Sequence, residues 1–569
     1  MVRHVQSVFP EARASVPREQ TAAELLVRCL ENEGVEYVYG IPGEETLDVN
    51  EAIEHSESVR FIPVRHEESA AFMADAYGRY TGRPGVCLST LGPGATNLTT
   101  GIADAYLDRA PMVALTGQVG IQQMHKETHQ YIDVVDMLRP ITKWNARVGD
   151  PWVVPETVRK AFALAAAEKP GATHLELPED IMARPATGSP LPRMAASPAQ
   201  PAYESLDLAA RLLQAARRPV MLVGNGVVRT RSAAALRLLC EQTGLHVITT
   251  FMGKGVVDSR DEHYLFTAGL RSQDYPQGLM GRADLVVTVG YDLVEWAPEA
   301  WNPDGKLRIV CIDTAPADID AHFVPQVELI GDIAGILTQL GEMLSVSPPA
   351  AYEMPPYHEA LASVLDVGGD DDRPIKPQRV LHDLRAVMGP SDLLVSDVGA
   401  HKLWIARLWQ AYEPNTVWIS NGFAAMGFAL PAAVSGALAA RGRHKVVTVM
   451  GDGGFLMSAH ELETAVRLRV PLVCMIWTDG SYGLIEMHQE RRFGHVTGTR
   501  FGNPDFPSLA RSFGADGVRV ERASELAPVL ERALRADGPV VVDVAIDYSE
   551  NRKLGVDLWR LAPRFVTGL

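Results

Sequence analysis

Two acidic residues, Asp452 and Asp479, each stand where an apolar run ends in a glycine-containing turn. The first run, Val446-Val447-Thr448-Val449-Met450, ends in Gly451-Asp452-Gly453-Gly454. The second, Leu472-Val473-Cys474-Met475-Ile476-Trp477, ends in Thr478-Asp479-Gly480-Ser481-Tyr482. Their length and apolar, β-branched content predict buried strands, with a helical stretch through Glu461 between them. The result is a βαβ unit with a carboxylate at the C-terminal end of each strand, the edge at which open parallel sheets bind ligands. Glycines there let backbone N–H groups approach an anion, and the following helix adds its positive end. Two carboxylates beside an anion suit a hard Mg²⁺ bridging to a diphosphate. Gly451-Asp452-Gly453 alone reads equally well as a strand-ending turn with Asp452 as a helix cap. The second acid, 27 positions after the first, makes the pattern specific.

The elements that must position these acids belong to an α/β chain of three domains, each a mostly parallel sheet flanked by helices. At 569 residues the chain is too long for one core. Residues 1–20 are polar and read as a disordered lead-in. The first domain covers 21–185, with a helix from Ala22 to Glu33 and strands at Tyr37–Tyr39, Phe61–Val64, Val86–Thr90, Pro111–Leu115 and Thr173–Leu177. A linker rich in Pro, Ala and Ser covers 186–203, a central α/β domain 204–345, and a second linker 346–374. The third domain, 375–550, holds the paired acids, and 551–569 is a C-terminal tail.

Composition excludes several classes. Hydrophobic residues at 47% and charged residues at 22% mark a globular protein, and a formal charge of -17 argues against binding nucleic acid through phosphates. No apolar run approaches a membrane span, and the N-terminus lacks the apolar core of a signal peptide. Five scattered cysteines without a Cys-x-x-Cys spacing fit reduced, buried thiols of a cytoplasmic protein. Gly224-Asn225-Gly226 follows a strand but lacks the rest of a dinucleotide fingerprint, so it reads as a structural turn. The Asp370-Asp371-Asp372 run reads as a solvated loop. Taken singly, Glu67 at a strand-to-helix junction is a helix N-terminal charge, His401 a packing or capping residue, and Met426 core.

Over most of its length, from about Thr21 to Ser549, the sequence resembles thiamine-diphosphate (ThDP) enzymes of the acetohydroxyacid synthase and pyruvate oxidase group. It is most similar to the catabolic, flavin-independent acetolactate synthases. The matching segments include Gly40-Ile41-Pro42-Gly43, Arg65-His66-Glu67, Thr128-His129-Gln130, Gly290-Tyr291-Asp292, Ile419-Ser420-Asn421-Gly422, the Gly451-to-Ser481 motif itself and Glu461-Leu462-Glu463-Thr464. The resemblance implies the fold just described, with the first domain binding the cofactor's pyrimidine and the third its diphosphate. It implies Mg²⁺ held by Asp452, Asp479 and the Ser481 carbonyl. Gly453, Gly454 and His401 would bind the diphosphate, Gly399, Gly451 and Tyr482 would also contact the cofactor, and the Ala424 carbonyl and Met426 would hold the pyrimidine and the bent cofactor. Glu67 would bond N1′ of the aminopyrimidine and act as a proton relay. Gln130 and Val398 would face the reacting carbon. The implied activity condenses two pyruvates to 2-acetolactate with loss of CO₂. Glu67 and Asp452 would meet across a homodimer interface, commonly within a homotetramer.

Departures from the family pattern carry their own expectations. Gly290-Tyr291-Asp292-Leu293 replaces an Arg-Phe-Asp-Asp stretch of flavin-containing relatives, so FAD is not expected and no acceptor-binding arginine is assigned. Thr478 replaces an Asn of the motif. Glu179 puts a negative charge where relatives carry Lys or Gln, and His488 stands at a position that sets acceptor choice in relatives. A non-oxidative 2-oxoacid decarboxylase, or a carboligase with a different donor or acceptor, is the alternative, although the adjacent His-His pair of such decarboxylases is absent, since His125 and His129 are separated. A ThDP-binding protein without activity is the remote alternative, opposed by the presence of Glu67.

Overall fold

The computed structural model describes residues 20–193, 199–269, 275–349 and 367–553. The expected lead-in up to residue 19, parts of both linkers (194–198 and 350–366), residues 270–274 and the tail beyond 553 lie outside the described residues.

Each of the long apolar runs becomes a strand in one of three six-stranded sheets, and every pairing within those sheets is parallel. A parallel strand is buried on both faces, which is why these runs carry no polar alternation. In the first domain the spatial order is Arg60–Pro63, Tyr37–Gly40, Gly85–Ser89, Met112–Gln118, Ala172–Pro178, Trp144–Arg147, or 2-1-3-4-6-5 in chain order. The third domain repeats that order with Val417–Ile419, Leu393–Ser396, Val446–Gly451, Val473–Thr478, Val540–Ala545 and Asp516–Val520. The central sheet differs, running 3-2-1-4-5-6 around Pro219–Val223 and Leu285–Val289.

Helix Ala22–Glu33 starts at a capping box, in which Thr21 Oγ1 accepts from Glu24 N and the Glu24 carboxylate accepts from Thr21 N. Gln20 and Thr21 pair antiparallel with Ala186 and Pro185. This pairing ties residues at the two ends of the first domain together, because they satisfy each other's backbone groups. The last residues of the second linker likewise dock on the third domain, where the Asp370 and Asp372 carbonyls accept from Ser524 N and Ala523 N. The Asp370 side chain stays mostly exposed beside Arg379, as expected of a solvated acidic loop.

First and third domains share a core. Helix Glu67–Thr81 lays Ala70, Ala71, Phe72, Met73 and Ala74 against helix Ala429–Ala440. Phe72 and Phe428 meet edge to face with ring centroids 5.5 Å apart. The Ser435 hydroxyl donates to the Met73 carbonyl at 2.7 Å and lies 3.0 Å from the Tyr39 hydroxyl. All five cysteines are buried and unpaired, and among the described residues no helix is long and apolar enough to cross a membrane.

Candidate active site

The third-domain sheet brings the two acids together through its register. Gly451 pairs with Trp477, so Asp452 and Thr478 leave adjacent strands side by side. Asp452 opens helix Asp452–Ser458 and is 1% exposed. Its Oδ2 accepts from Asp479 N at 3.1 Å, Gly480 N at 2.7 Å and Asn503 Nδ2 at 2.7 Å, and its Oδ1 accepts from Gly453 N at 2.8 Å. Asp479 is half-buried, with Oδ2 accepting from the Ser481 hydroxyl at 2.8 Å and Oδ1 from Ser481 N at 3.4 Å. Burial, followed by the nearby charge of Asp452, pushes the Asp479 carboxyl up to about 6. Two carboxylates held this close at one sheet edge repel each other, and an oxygen-seeking divalent cation between them removes the repulsion.

The glycines around the acids are fixed by space. A Cβ on Gly454 would lie 2.0 Å from Asp397 Oδ2, and one on Gly453 2.7 Å from the Tyr482 ring. Tyr482 itself packs on Phe501 in a tilted arrangement, with centroids 4.8 Å apart. His401 is 1% exposed, sits against Gly451 and Trp477, and its Nε2 has no hydrogen-bond partner. Burial pushes this imidazole down to about 3. An orphaned buried ring nitrogen beside glycines and a helix N-terminus fits an incoming diphosphate, and the paired carboxylates fit its cation.

Val398 and Gly399 continue the strand end that carries Asp397. Ala424 and Met426 lie between strand Val417–Ile419 and helix Ala429–Ala440. Ala424 is exposed with φ at +56°, and Met426 is half-buried. Glu67 begins helix Glu67–Thr81 after the N-cap His66 and is 8% exposed. Its Oε2 accepts from Asn97 Nδ2 at 3.0 Å, and Oε1 faces Gly94. Gln130 lies on the exposed loop 121–131 with φ at +56°, and its carbonyl backs onto Gly92. Within one chain, no hydrogen bond among the described residues joins Glu67 to Asp452 or Asp479. Glu179 does not reach freely into solvent: its Oε1 accepts from Gly120 N at 3.3 Å, while Asp180 accepts from Ile121 N at 3.1 Å. His488 is exposed on helix Gly483–Phe493, which buries none of its residues.

Three neighbours of the site went unseen in the sequence. Asn503 reaches Asp452 from a loop with no motif of its own. Asp397 ends a strand that the apolar pattern predicts, yet its role shows only in space: Oδ2 accepts from Gly427 N at 3.1 Å, and burial pushes it up to about 7. Asp543 accepts from the Thr478 hydroxyl at 2.6 Å, which gives the Thr-for-Asn departure a structural partner on the adjacent strand.

Family models match along most of the chain. The N-terminal TPP binding domain of thiamine pyrophosphate enzymes matches residues 20–137, the central domain 206–340, and the C-terminal TPP binding domain 397–544. The chain is 38% identical to the acetolactate synthase of Bacillus subtilis (strain 168) over 545 residues, covering 94% of this chain and 95% of the relative. The chain belongs to the ThDP-dependent acetolactate synthase family. Identity to the catabolic acetolactate synthase of Raoultella terrigena is also 38%, over 93% of this chain and 95% of that one. Identity to the acetolactate synthase large subunit of Corynebacterium glutamicum is 32%, over 95% and 89%. The chain is thus a ThDP enzyme of the acetolactate synthase type.

Within this ThDP enzyme, a cleft of about 1070 Å³ opens where the three domains meet, lined by residues such as Gly82, Arg231, Arg237, Glu413 and His444. None of the residues expected to hold the cofactor or its cation lines it, and Arg237 is already bonded to the carbonyls of Gly255, Val256 and Tyr412. The cofactor motif lies elsewhere.

Proposed function

We propose that this enzyme is a Mg²⁺-dependent carboligase that condenses two molecules of pyruvate to 2-acetolactate and CO₂, without a flavin, in a homodimer whose subunits share each site. The observation that carries the reading is the pair Asp452 and Asp479 at adjacent strand ends, with the Gly453-Gly454 turn between them, in a chain of this family. Asp452, Asp479 and the Ser481 carbonyl would hold Mg²⁺; Gly451, Gly453, Gly454, Gly399, His401 and Tyr482 would surround the diphosphate. The Ala424 carbonyl and Met426 would fix the pyrimidine and the bend. When bound, ThDP supplies the carbanion that attacks the keto carbon and the electron sink for the departing carboxylate. Glu67 would hold and return the proton at the pyrimidine nitrogen, its carboxylate aligned by Asn97. Gln130 and Val398 would face the second 2-oxoacid and exclude the water that diverts the reaction to an aldehyde.

The flavin-free reading rests on the central domain. A dinucleotide would approach the switch point between Pro219–Val223 and Leu285–Val289. There the buried Glu295 carboxylate accepts from Asn225 N with both oxygens at 3.1 Å and from Asp292 N at 3.2 Å. Gly226 packs so tightly on Gly290 that a Cβ would lie 2.4 Å from it. Tyr291, Trp296, Trp301 and Phe323 fill the neighbouring space. A carboxylate of the chain itself on those amides supports a reading without a dinucleotide phosphate there.

The shared site is supported by the surface beside the motif. Phe423, Leu456, Met457 and Tyr482 are exposed on segments that flank the motif, and Ile485 and Phe493 are exposed on helix Gly483–Phe493, which buries none of its residues. An apolar patch next to a site fits a second subunit, which would bring Glu67. Family resemblance extends the dimer to a tetramer.

The test is product analysis after incubation of the protein with pyruvate, ThDP and Mg²⁺, alongside Glu67→Ala. Acetolactate from the wild type, sharply reduced in the variant, is the expected result. Acetaldehyde without acetolactate would replace the reading with a decarboxylase.

A further inference from the structure

The segment that carries Ala424 and Met426 is held from outside its own domain. Helices Glu67–Thr81 and Thr99–Leu107 of the first domain bring Arg79, Asp104 and Asp108 to it. Arg79 donates to the Ile419 carbonyl at 2.9 Å, and the Ser420 hydroxyl donates to Asp104 at 2.6 Å. Asp108 then grips two successive amides, with Asn421 N donating to Oδ2 at 2.8 Å and Gly422 N to Oδ1 at 2.6 Å. Arg79 bridges the acids, donating to Asp75 at 2.5 and 2.9 Å, Asp104 at 3.2 Å and Asp108 at 3.0 Å. The three aspartates are at most 2% exposed, so each bond is made in a medium where it is strong and its loss costly. Gly422 is glycine for this reason: a Cβ would stand 2.8 Å from Asp108 Oδ1.

The grip is transmitted along the segment. Lys402 Nζ donates to the Ser420 carbonyl at 2.9 Å, and Ala425 N donates to the Ser420 hydroxyl at 2.8 Å. Between them Ala424 is held with φ at +56°, a conformation that a non-glycine residue keeps only when its surroundings impose it. Three residues beyond Ala424, Asp397 takes over by accepting from Gly427 N.

We propose that Asp108, bridged by Arg79, is a positioning residue that sets the 419–426 segment so that the Ala424 carbonyl and Met426 present the correct surface to the cofactor. This rests on the ThDP reading given above. The first domain would thereby shape the cofactor surface of its own chain's third domain, a role separate from that of Glu67.

The test compares wild type, Asp108→Asn and Gly422→Ala, the last displacing the carboxylate without removing its charge. Amide hydrogen exchange of the cofactor-free protein reads the clamp directly. Dissociation constants for ThDP with Mg²⁺, from tryptophan fluorescence, and kcat and KM for pyruvate at saturating cofactor read its consequence. Losing one charge-assisted bond to a buried carboxylate changes an equilibrium by roughly tenfold or more. Exchange at residues 419–427 should rise about tenfold in both variants, with the rest of the third domain unchanged. ThDP should bind about tenfold more weakly and kcat should fall while KM for pyruvate holds. Gly422→Ala carries the test if Asp108→Asn does not fold. A folded variant with wild-type exchange at 421 and 422, or wild-type ThDP affinity, would overturn the proposal alone. A wild type that binds no ThDP would overturn both it and the reading beneath it.

Discussion

Asp452→Asn separates the two readings that the Gly-Asp-Gly turn allows, a helix cap or a cation ligand. Asparagine keeps one acceptor oxygen. With it at the Oδ2 position, the bonds from Asp479 N, Gly480 N and Asn503 Nδ2 survive as neutral bonds. The new NH₂ then faces only Gly453 N. One buried amide left without an acceptor costs about 1–3 kcal/mol, and three weakened bonds add roughly 1 kcal/mol each. Relief of the repulsion that helps raise Asp479 offsets part of this. The cofactor-free protein should therefore lose about 3–5 kcal/mol and still fold. Cofactor binding is a different matter, because the variant removes one of two charges facing the cation. Wild type at a hundredfold excess of ThDP and Mg²⁺ over Kd should gain about 2.7 kcal/mol against unfolding. The assay is urea unfolding with and without both ligands, and the variant should gain nothing. An Asp452→Asn protein stabilised by ThDP and Mg²⁺ as strongly as wild type would show that Asp452 is only a cap.

Other predictions test the remaining links. If each site takes Glu67 from one subunit and Asp452 from the other, mixing and reassembling the inactive Glu67→Gln and Asp452→Asn proteins should restore about a quarter of wild-type activity. Half of the dimers would then be mixed, each with one intact site, and no recovery after confirmed subunit exchange would count against a shared site. Gly454→Ala should cost about 1–3 kcal/mol in a denaturant titration, because its Cβ would lie 2.0 Å from the buried Asp397 carboxylate. The purified protein should show no flavin absorbance, and added FAD should leave its activity unchanged. Lys254 donates to Thr267 Oγ1 and the Ala406 carbonyl, and burial pushes it down to about 7 from 10.5. A depressed lysine favours the neutral form in the fold, so its contribution is present above pH 10.5 and is lost as pH falls towards about 7. At 1.36 kcal/mol per pKa unit that is up to about 5 kcal/mol. Wild type should lose stability between pH 9 and pH 7 more steeply than Lys254→Met, as read by unfolding midpoints.

Legibility in the sequence depends on the range of the interactions. Asp452 and Asp479 were legible as a candidate site because their glycines, strands and acids lie within one βαβ unit, and the register of that unit is forced by its apolar runs. Glu67 was legible only by resemblance, since a carboxylate at a helix N-terminus is an ordinary feature. Asn503, Asp543 and Asp397 stayed hidden for the opposite reason. Each acts through a contact closed over 30 or more positions, as in Asn503 to Asp452 over 51 and Thr478 to Asp543 over 65, and nothing local marks them. Glu295 was hidden differently: the missing fingerprint after Gly226 pointed to a structural turn, but only the fold shows that the Glu295 carboxylate accepts from the amide of Asn225 in that turn.

The repeated 2-1-3-4-6-5 order gives the site its logic. In both domains the second strand lies at the sheet edge, and the turn at its C-terminal end bears on the pyrimidine half of the proposed cofactor site: Glu67 after Arg60–Pro63, and Ala424 with Met426 after Val417–Ile419. An edge-strand exit has a neighbour strand on one side only and needs an outside support to hold a fixed shape. The structure supplies it reciprocally. Asp108 of the first domain accepts from Asn421 N and Gly422 N, and the fully buried Glu461 of the third accepts from Arg65 N at 2.9 Å, two residues before Glu67. Both supports are carboxylates on backbone amides, a choice that fixes the path of the chain whatever the side chains there become. The two domains therefore do more than share a core. Each braces a turn of the other that the proposed chemistry uses at the pyrimidine, which accounts for buried charge retained at an interface that apolar packing alone would stabilise.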